Sequence, residues 1–258
     1  MSKARAKVFF GMPCYTSWMH RDGYRAILRA SEGDCEVYTF MSSSSLLGMT
    51  FNMCWVEALR AYLKGEATHF AMMHSDIVPE GPFLDIMLEQ MEMHHAQVIS
   101  AVVAIKNGQH ETSTAISQID NPWEADRLSL EQLEEMPLTF SIDDLRLRPR
   151  QLLVNTGLML VELGEWALRT NDAGELKTYF TIRDQVVRLS ERKFKVSAMP
   201  EDWNFSRMAD EQGCKVCATQ AIRIDHIGEA AFRTGRPKDI VRPIRTEQAE
   251  EPQWVGAT

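Results

Sequence analysis

An α/β fold built on one mostly parallel sheet is what this sequence predicts, and three observations predict it. Short apolar runs alternate with stretches of helical spacing, the chain length suits one domain, and polar clusters fall where the apolar runs end. The chain has 258 residues, 45% hydrophobic and 25% charged, which is enough to bury a full core without dividing. The formal net charge of −8 makes the surface as a whole repel phosphate backbones, so tight binding to a nucleic acid needs a local basic patch. No apolar run approaches the length of a bilayer crossing, and the basic residues 1–7 have no apolar stretch behind them. A cytoplasmic protein without a membrane span is expected. Of the five cysteines, Cys14, Cys35 and Cys54 are scattered like reduced thiols. Cys214 and Cys217 form a CxxC pair, but no second pair stands at zinc-ligand spacing, so neither a disulfide framework nor a zinc centre is predicted.

Taken in order, residues 7–12 are an apolar run stopped by Pro13 and followed by helical spacing over 24–30, the pattern of a strand and then a helix. Residues 37–40 predict a second strand, serines 42–45 a loop, and 51–63 a helix with Trp55, Leu59 and Leu63 on one face, ended by Gly65. Residues 68–73 are a buried strand that runs straight into His74-Ser75-Asp76; Pro79 and Pro82 then precede a helix over 83–94, and 98–105 is the next strand. Residues 106–151 change character, being polar and holding Pro122, Pro137 and Pro149 with one acidic helical stretch at 128–135. That segment predicts a loop region over the acceptor side of a site. Residues 152–161 return to an apolar strand broken by Asn155-Thr156-Gly157; 162–168 look helical and 179–182 strand-like. Residues 200–212 carry a helix start, proline followed by two carboxylates, and stop at Gly213. Residues 215–224 form a last strand or pair of strands leading to Asp225-His226, which places the domain at 1–232 and a partly disordered tail at 233–258.

Three places can carry chemistry. Ligands of such sheets bind beyond the carboxyl ends of the strands, and Asp76 stands at such an end. Its carboxylate either caps the following turn or holds a divalent cation against a diphosphate, because hard cations take oxygen ligands and bridge phosphate oxygens. Glu201 and Asp202 open a helix, where the helix end stabilises anions whether or not they act. His226, in Asp225-His226-Ile227-Gly228, reads alone as an ordinary satisfied histidine.

The order of these motifs resembles that of GT-A glycosyltransferases over about residues 7–232: strand plus H-S-D, an N-T-G strand, P-E-D-W-x-F opening a helix, then D-H-x-G. The resemblance is strongest to bacteriophage and viral members, in residues 69–76, 100–106 and 112–115. It implies a Rossmann-like single domain that moves a sugar from a nucleoside-diphosphate donor, a UDP-sugar favoured, to an acceptor hydroxyl with inversion. It further implies that Asp76 and His226 ligate the metal, that Asp202 is the general base, and that Glu201 orients the acceptor or supports Asp202. His74 stands where the family has the first aspartate of D-x-D, so it either ligates the metal by nitrogen, favouring Mn²⁺ over Mg²⁺, or hydrogen-bonds the donor. Ser75, Pro13, Tyr15, Asn52, Lys106 and Gly157 are the further donor-site positions. Tyr15 would stack on the base, Lys106 meet the diphosphate, and Gly157 let the backbone approach the sugar.

Some viral relatives of this kind glycosylate hydroxymethylated DNA bases, which makes 5-hydroxymethylcytosine or a related base in phage DNA a candidate acceptor and host cytoplasm the place of action. Arg146, Arg148 and Arg150, with Arg233, Arg236, Lys238, Arg242 and Arg245, would be the local basic strip. A glycan or small-molecule acceptor stays open. So do two other classes: a metal-dependent nucleotidyltransferase or phosphohydrolase, disfavoured because Gly11-Met12-Pro13-Cys14 is no phosphate-binding glycine loop, and a non-catalytic nucleotide- or carbohydrate-binding protein.

Overall fold

The central strands are buried along nearly their whole length, and because successive side chains point to opposite faces, the core falls into two layers, one on each face of the sheet. The computed structural model describes residues 5–14, 19–107, 110–228, 230–233 and 241–243, the last two segments by their backbone course. Its first half runs β1 (Lys7–Cys14), α1 (Arg21–Ala30), β2 (Glu36–Ser43), α2 (Leu47–Leu63), β3 (His69–Met73), β4 (Ile77–Pro79), α3 (Phe83–His94) and β5 (Val98–Ala101). There follow β6 (Glu111–Ser117), β7 (Ala125–Ser129), α4 (Leu130–Glu134), β8 (Thr139–Ser141), β9 (Leu152–Leu153) and β10 (Leu158–Glu162). A 3-10 turn at Glu165–Leu168 precedes β11 (Arg183–Ser190), β12 (Lys193–Met199), α5 (Glu201–Glu211), β13 (Val216–Thr219), β14 (Ile224–Ile227), β15 (Ala230–Arg233) and β16 (Val241–Pro243).

The main sheet has the order β2-β1-β3-β10-β5-β13-β8. β1 pairs parallel with β2 and β3, β13 parallel with β5, while β10 runs antiparallel between β3 and β5 and β8 antiparallel on the edge. Five strands therefore share one direction and their carboxyl ends share one edge. The chain is a single α/β domain with a mostly parallel, mixed sheet flanked by helices, as the alternation of strand and helix patterns predicts. Val8, Phe10 and Met12 of β1 and Ala71 and Met73 of β3 face Ile27 of α1 and Phe83 and Met87 of α3. Phe70 and Met72 face the opposite layer, with Phe51 and Trp55 of α2 and Phe205 of α5. In that layer the Phe180 and Phe205 rings stack at 4.8 Å and Trp55 packs edge-on to both, which fixes α5 against α2 through the 176–182 segment. All five cysteines are free and buried. Burial pushes the thiols up, Cys35 to about 11 and Cys54, Cys214 and Cys217 to about 12.

Several elements differ from the sequence pattern. The polar stretch 106–151 is not one loop. It holds β6 and β7, which join β9 in a small antiparallel sheet, together with α4 and the edge strand β8. Short strands whose buried positions include polar residues, such as Thr112, Thr114 and Ser117 of β6, leave no apolar run to see. α4 itself is set by a reciprocal cap between Ser129 and Gln132. Residues 179–182 are no strand: Tyr179 and Phe180 are buried in the aromatic layer from an irregular segment. The strands lie just beyond, in the hairpin β11–β12, whose positions are almost all exposed. Expected residue Tyr15 and most of the tail lie outside the described residues, as do Arg236, Lys238 and Arg245.

Candidate active site

β3 ends at Met73, and the next three residues turn outward at the carboxyl edge of the sheet. The N-T-G segment between β9 and β10 meets them there. The His74 amide donates to the Gly157 carbonyl at 3.0 Å, and the His74 Nε2 lies 3.0 Å from the Thr156 hydroxyl. Asn155 props this loop: its Nδ2 donates to the Ala101 carbonyl, and its Oδ1 accepts from the Gly157 amide, each at 2.9 Å. A Cβ on Gly157 would stand 2.9 Å from that Oδ1 and 3.4 Å from Val103, so the position admits only glycine without displacing the prop.

β14 brings His226 to the same place. The Ile227 amide donates to the Asp76 carbonyl at 2.8 Å, and β14 pairs antiparallel with β4, matching His226 to Ile77. The His226 Nδ1 lies 2.7 Å from the Ala104 carbonyl, which can only accept, so Nδ1 carries a proton. Its Nε2 then faces the Asp76 Oδ2 at 3.3 Å. A neutral imidazole would present a lone pair to a carboxylate there, so the pair is complete only with a cation between or on its members, a second proton or a metal ion. Lys106 donates its ammonium to the same Asp76 oxygen. Burial works to raise the Asp76 carboxyl, but the hydrogen bonds from His226 and Lys106 outweigh it and hold the group well below the usual carboxylate range. Burial lowers His74 to about 4, against the pull of Asp76. His74 is therefore a neutral imidazole at physiological pH.

The second carboxylate centre opens α5. Pro200 is its N-cap, with φ −67° already suited to a helix start. Glu201 is 8% exposed and its carboxyl is raised by burial. Asp202 keeps a partly exposed edge, and its Oδ1 accepts from the Trp203 amide at 2.7 Å. Burial first, then the charge of Glu201, push the Asp202 carboxyl up to about 7, against the Trp203 amide and Arg127. The Arg127 guanidinium lies 4.9 Å over the Trp203 ring.

Two short bridges join the centres. The Trp203 indole donates to the Ser113 carbonyl at 3.3 Å. The Ser113 amide donates to Val103, beside the Ala104 carbonyl that holds His226. On the other side, the Ser206 hydroxyl of α5 accepts from the Val154 amide at 2.9 Å, two residues before Thr156.

Not every predicted residue joins this cluster. Pro13 is buried inside β1, paired with Ser42 of β2. Ser75 lies beside the Cys14 thiol and works against the rise that burial gives it. Asn52 is in the second turn of α2, where its Nδ2 donates to the Gly48 carbonyl at 2.9 Å and the Phe180 carbonyl at 2.7 Å. Its amide is engaged in tying α2 to the 176–182 segment. Of the expected arginine strip, Arg148 is clasped by Asp143 and Asp210, and Arg150 lies 3.6 Å from Asp126. Thr156, Arg127 and the Ala104 carbonyl were not singled out by sequence. Thr156 sits inside a motif read for its glycine, and a backbone carbonyl leaves no residue signal.

No protein-family model matches the chain, and no curated protein matches it. Among solved structures, A197 from STIV is similar over 92% of this chain and 93% of its own, at 13% identity and a TM-score of 0.53. HddC from Yersinia pseudotuberculosis, complexed with GMP-PN, covers 90% of this chain and 95% of its own at 9% identity and a TM-score of 0.32. TarS from S. aureus, in complex with UDP-GlcNAc, covers 42% of this chain and 39% of its own at 13% identity and a TM-score of 0.25. The likeness to A197 is one of fold. Among the described residues no helix is long and apolar enough to cross a membrane, and no group of three or more His, Cys, Asp or Glu could hold a metal. Asp76 and His226 are two such side chains, 3.3 Å apart.

Proposed function

We propose that the protein is a GT-A glycosyltransferase that moves a sugar from a nucleoside-diphosphate donor, a UDP-sugar first, to an acceptor hydroxyl. The acceptor is 5-hydroxymethylcytosine or a related base in viral DNA. The observation that carries this reading is the Asp76 Oδ2 and His226 Nε2 pair at 3.3 Å, with the other imidazole nitrogen pinned to Ala104, at the carboxyl edge of a mostly parallel sheet. Two protein ligands suit a divalent cation whose remaining positions are filled by phosphate oxygens and water. Mn²⁺ or Mg²⁺, when bound there, would neutralise the charge that develops on the departing diphosphate.

The chain's own groups supply the rest. Asp76 stays ionised at any pH of interest, because His226 and Lys106 hold it so. Lys106 is long enough to pass from the carboxylate to a phosphate oxygen. Neutral His74, fixed by Thr156, donates to or accepts from the donor without adding charge. Asp202 takes the acceptor hydroxyl's proton. Its Oδ1 is engaged by the Trp203 amide, which leaves Oδ2 for the proton, and a carboxyl raised to about 7 is a base matched to neutral pH. As that proton leaves, the acceptor oxygen bonds to the anomeric carbon, the bond to the diphosphate breaks, and configuration inverts in one displacement.

Calorimetric titration with UDP-glucose, GDP-mannose and other donors, with and without Mn²⁺, tests the reading. Metal-dependent nucleotide binding is expected, and its absence across the donors sinks the transferase. Nucleoside mass spectrometry of hydroxymethylated duplex after incubation with donor and protein tests the acceptor. An unchanged base profile removes DNA and leaves a glycan or small molecule.

A further inference from the structure

α2 is apolar on both of its sides, and one of them is open. Phe51, Cys54, Trp55, Ala58 and Leu59 face the core. On the far side Leu46 at the N-cap, Met49, Met53, Val56, Arg60 and Leu63 recur at alternate steps of three and four residues, the spacing that keeps one narrow seam along a helix. The apolar members are 64%, 55%, 40%, 39% and 68% exposed, in chain order. Leu63, expected beside Trp55 and Leu59, belongs to this seam. A helix that is apolar all round is normally a buried one, and here the second face is left uncovered among the described residues.

Apolar residues continue the seam on both flanks. On one side Met49 and Val56 share a groove with Leu176 and Ile182, themselves half exposed. On the other, the Ser42 hydroxyl donates to the Met53 sulfur at 3.4 Å, and Tyr38, on the same face of β2, is half exposed. Taking about 200 Å² for a fully exposed side chain of this size, the patch offers roughly 800 Å², the area that each partner of a stable complex buries. Two copies of a chain of net charge −8 repel each other, so self-association favours a face poor in carboxylates. Between positions 46 and 63 the charged residues are Glu57 and Arg60 alone, and they pair with each other.

We infer that α2 is a self-association helix, along whose seam two copies of this chain pair antiparallel about a twofold axis. The occupant is a second copy because the seam is its own complement. Reversed about its midpoint, it sets Leu46 against Leu63, Met49 against Arg60 and Met53 against Val56 of the second copy, with every seam position matched. Parallel pairing would bury Arg60 against Arg60, two like charges. Antiparallel pairing lays the arginine stem along Met49 instead, and one polar seam position fixes the register. On its inner side the same helix carries Phe51, whose ring lies 5.1 Å from that of His74, so the helix that joins the copies also backs the candidate site. The pairing is independent of the reaction proposed above.

Sedimentation velocity of the full chain over a concentration series tests the pair. The wild type is expected to be dimeric at about 10 µM. Met53→Lys and Val56→Glu each place a lone charge in the seam and are expected to raise the dimer dissociation constant by about 100-fold or more. Far-UV circular dichroism should be unchanged in both, because both positions are partly exposed. Mixed one to one, the two variants are expected to recover a dimer, since antiparallel pairing sets the two introduced charges against each other. Leu46→Glu with Leu63→Lys is a second such pair, for use if either of the first fails to fold. A wild type that stays monomeric to about 100 µM overturns the pair. Dimers that persist in both single variants place the interface elsewhere and overturn it too, and variants that dissociate without recombining overturn the antiparallel register. Capture of a monomeric wild type on phosphatidylcholine vesicles, lost in Met53→Lys, would overturn the pair by giving the seam to a lipid surface.

Discussion

Asp76 and Asp202 are the same residue type in two surroundings, and they titrate in opposite directions. At the end of β3, Asp76 meets an imidazole at 3.3 Å and the Lys106 ammonium, and its carboxyl is held down. At the start of α5, Asp202 meets a second carboxylate and little water, and its carboxyl rises to about 7. On the proposed mechanism the difference is a division of labour. A group that must stay charged is surrounded by donors, and a group that must exchange a proton near neutral pH is desolvated beside a like charge.

The largest test of that division is Asp202→Asn. If Asp202 is the base, kcat falls by roughly 10³-fold, while donor binding by calorimetry stays at wild type. The wild-type rate should also fall as pH drops through about 7, where Asp202 takes up its proton. Replacing Glu201 by Gln removes the neighbouring charge and should move that midpoint down. An acid limb that persists in Asp202→Asn and does not move in Glu201→Gln would separate Asp202 from the chemistry. Next in size, Asp76→Asn should weaken Mn²⁺-dependent nucleotide binding by about 10- to 100-fold, and equal affinity with and without the substitution would remove Asp76 from the cation site.

Stability sharpens the same contrast. A carboxyl whose folded pKa is raised contributes stability below its unfolded value, near 4, and loses it as pH climbs through about 7. Asp202→Asn should therefore be more stable than the wild type at pH 8 by about 1–3 kcal/mol, with little difference at pH 4, read as Tm at both pH values. A flat difference would mean that Asp202 is not held under strain. The smallest effect is expected from Thr156→Val, which leaves His74 without its hydroxyl partner and should cost about 1 kcal/mol of stability, measured by urea unfolding.

How much of this could be seen in the residues depended on where each signal lives. β1, β3 and α5 announce themselves, because buried parallel strands are continuous apolar runs and Pro200 with two carboxylates marks a helix start. The hairpin did not: its valines and Phe194 are interleaved with Arg and Lys and are exposed, so no apolar run marks its strands. Residues 179–182 misled in the other sense, since aromatic and β-branched types resemble a strand but here serve ring packing. Within the site, the side chains of Asp76, His226 and Asp202 stand out by type and order. The Ala104 carbonyl that fixes the imidazole's proton, and the Asn155 prop under Gly157, depend on tertiary approach.

The five buried thiols make the protein a reporter of its own opening. Cys14, Cys35 and Cys54 belong to the β1–β2 side, and Cys214 and Cys217 flank or line β13 on the other. Each is shielded and held protonated, so an alkylating reagent can reach a sulfur only when the core around it comes apart. The order in which the two groups are labelled in mild urea would show which flank of the sheet lets go first, with no probe added to the sequence.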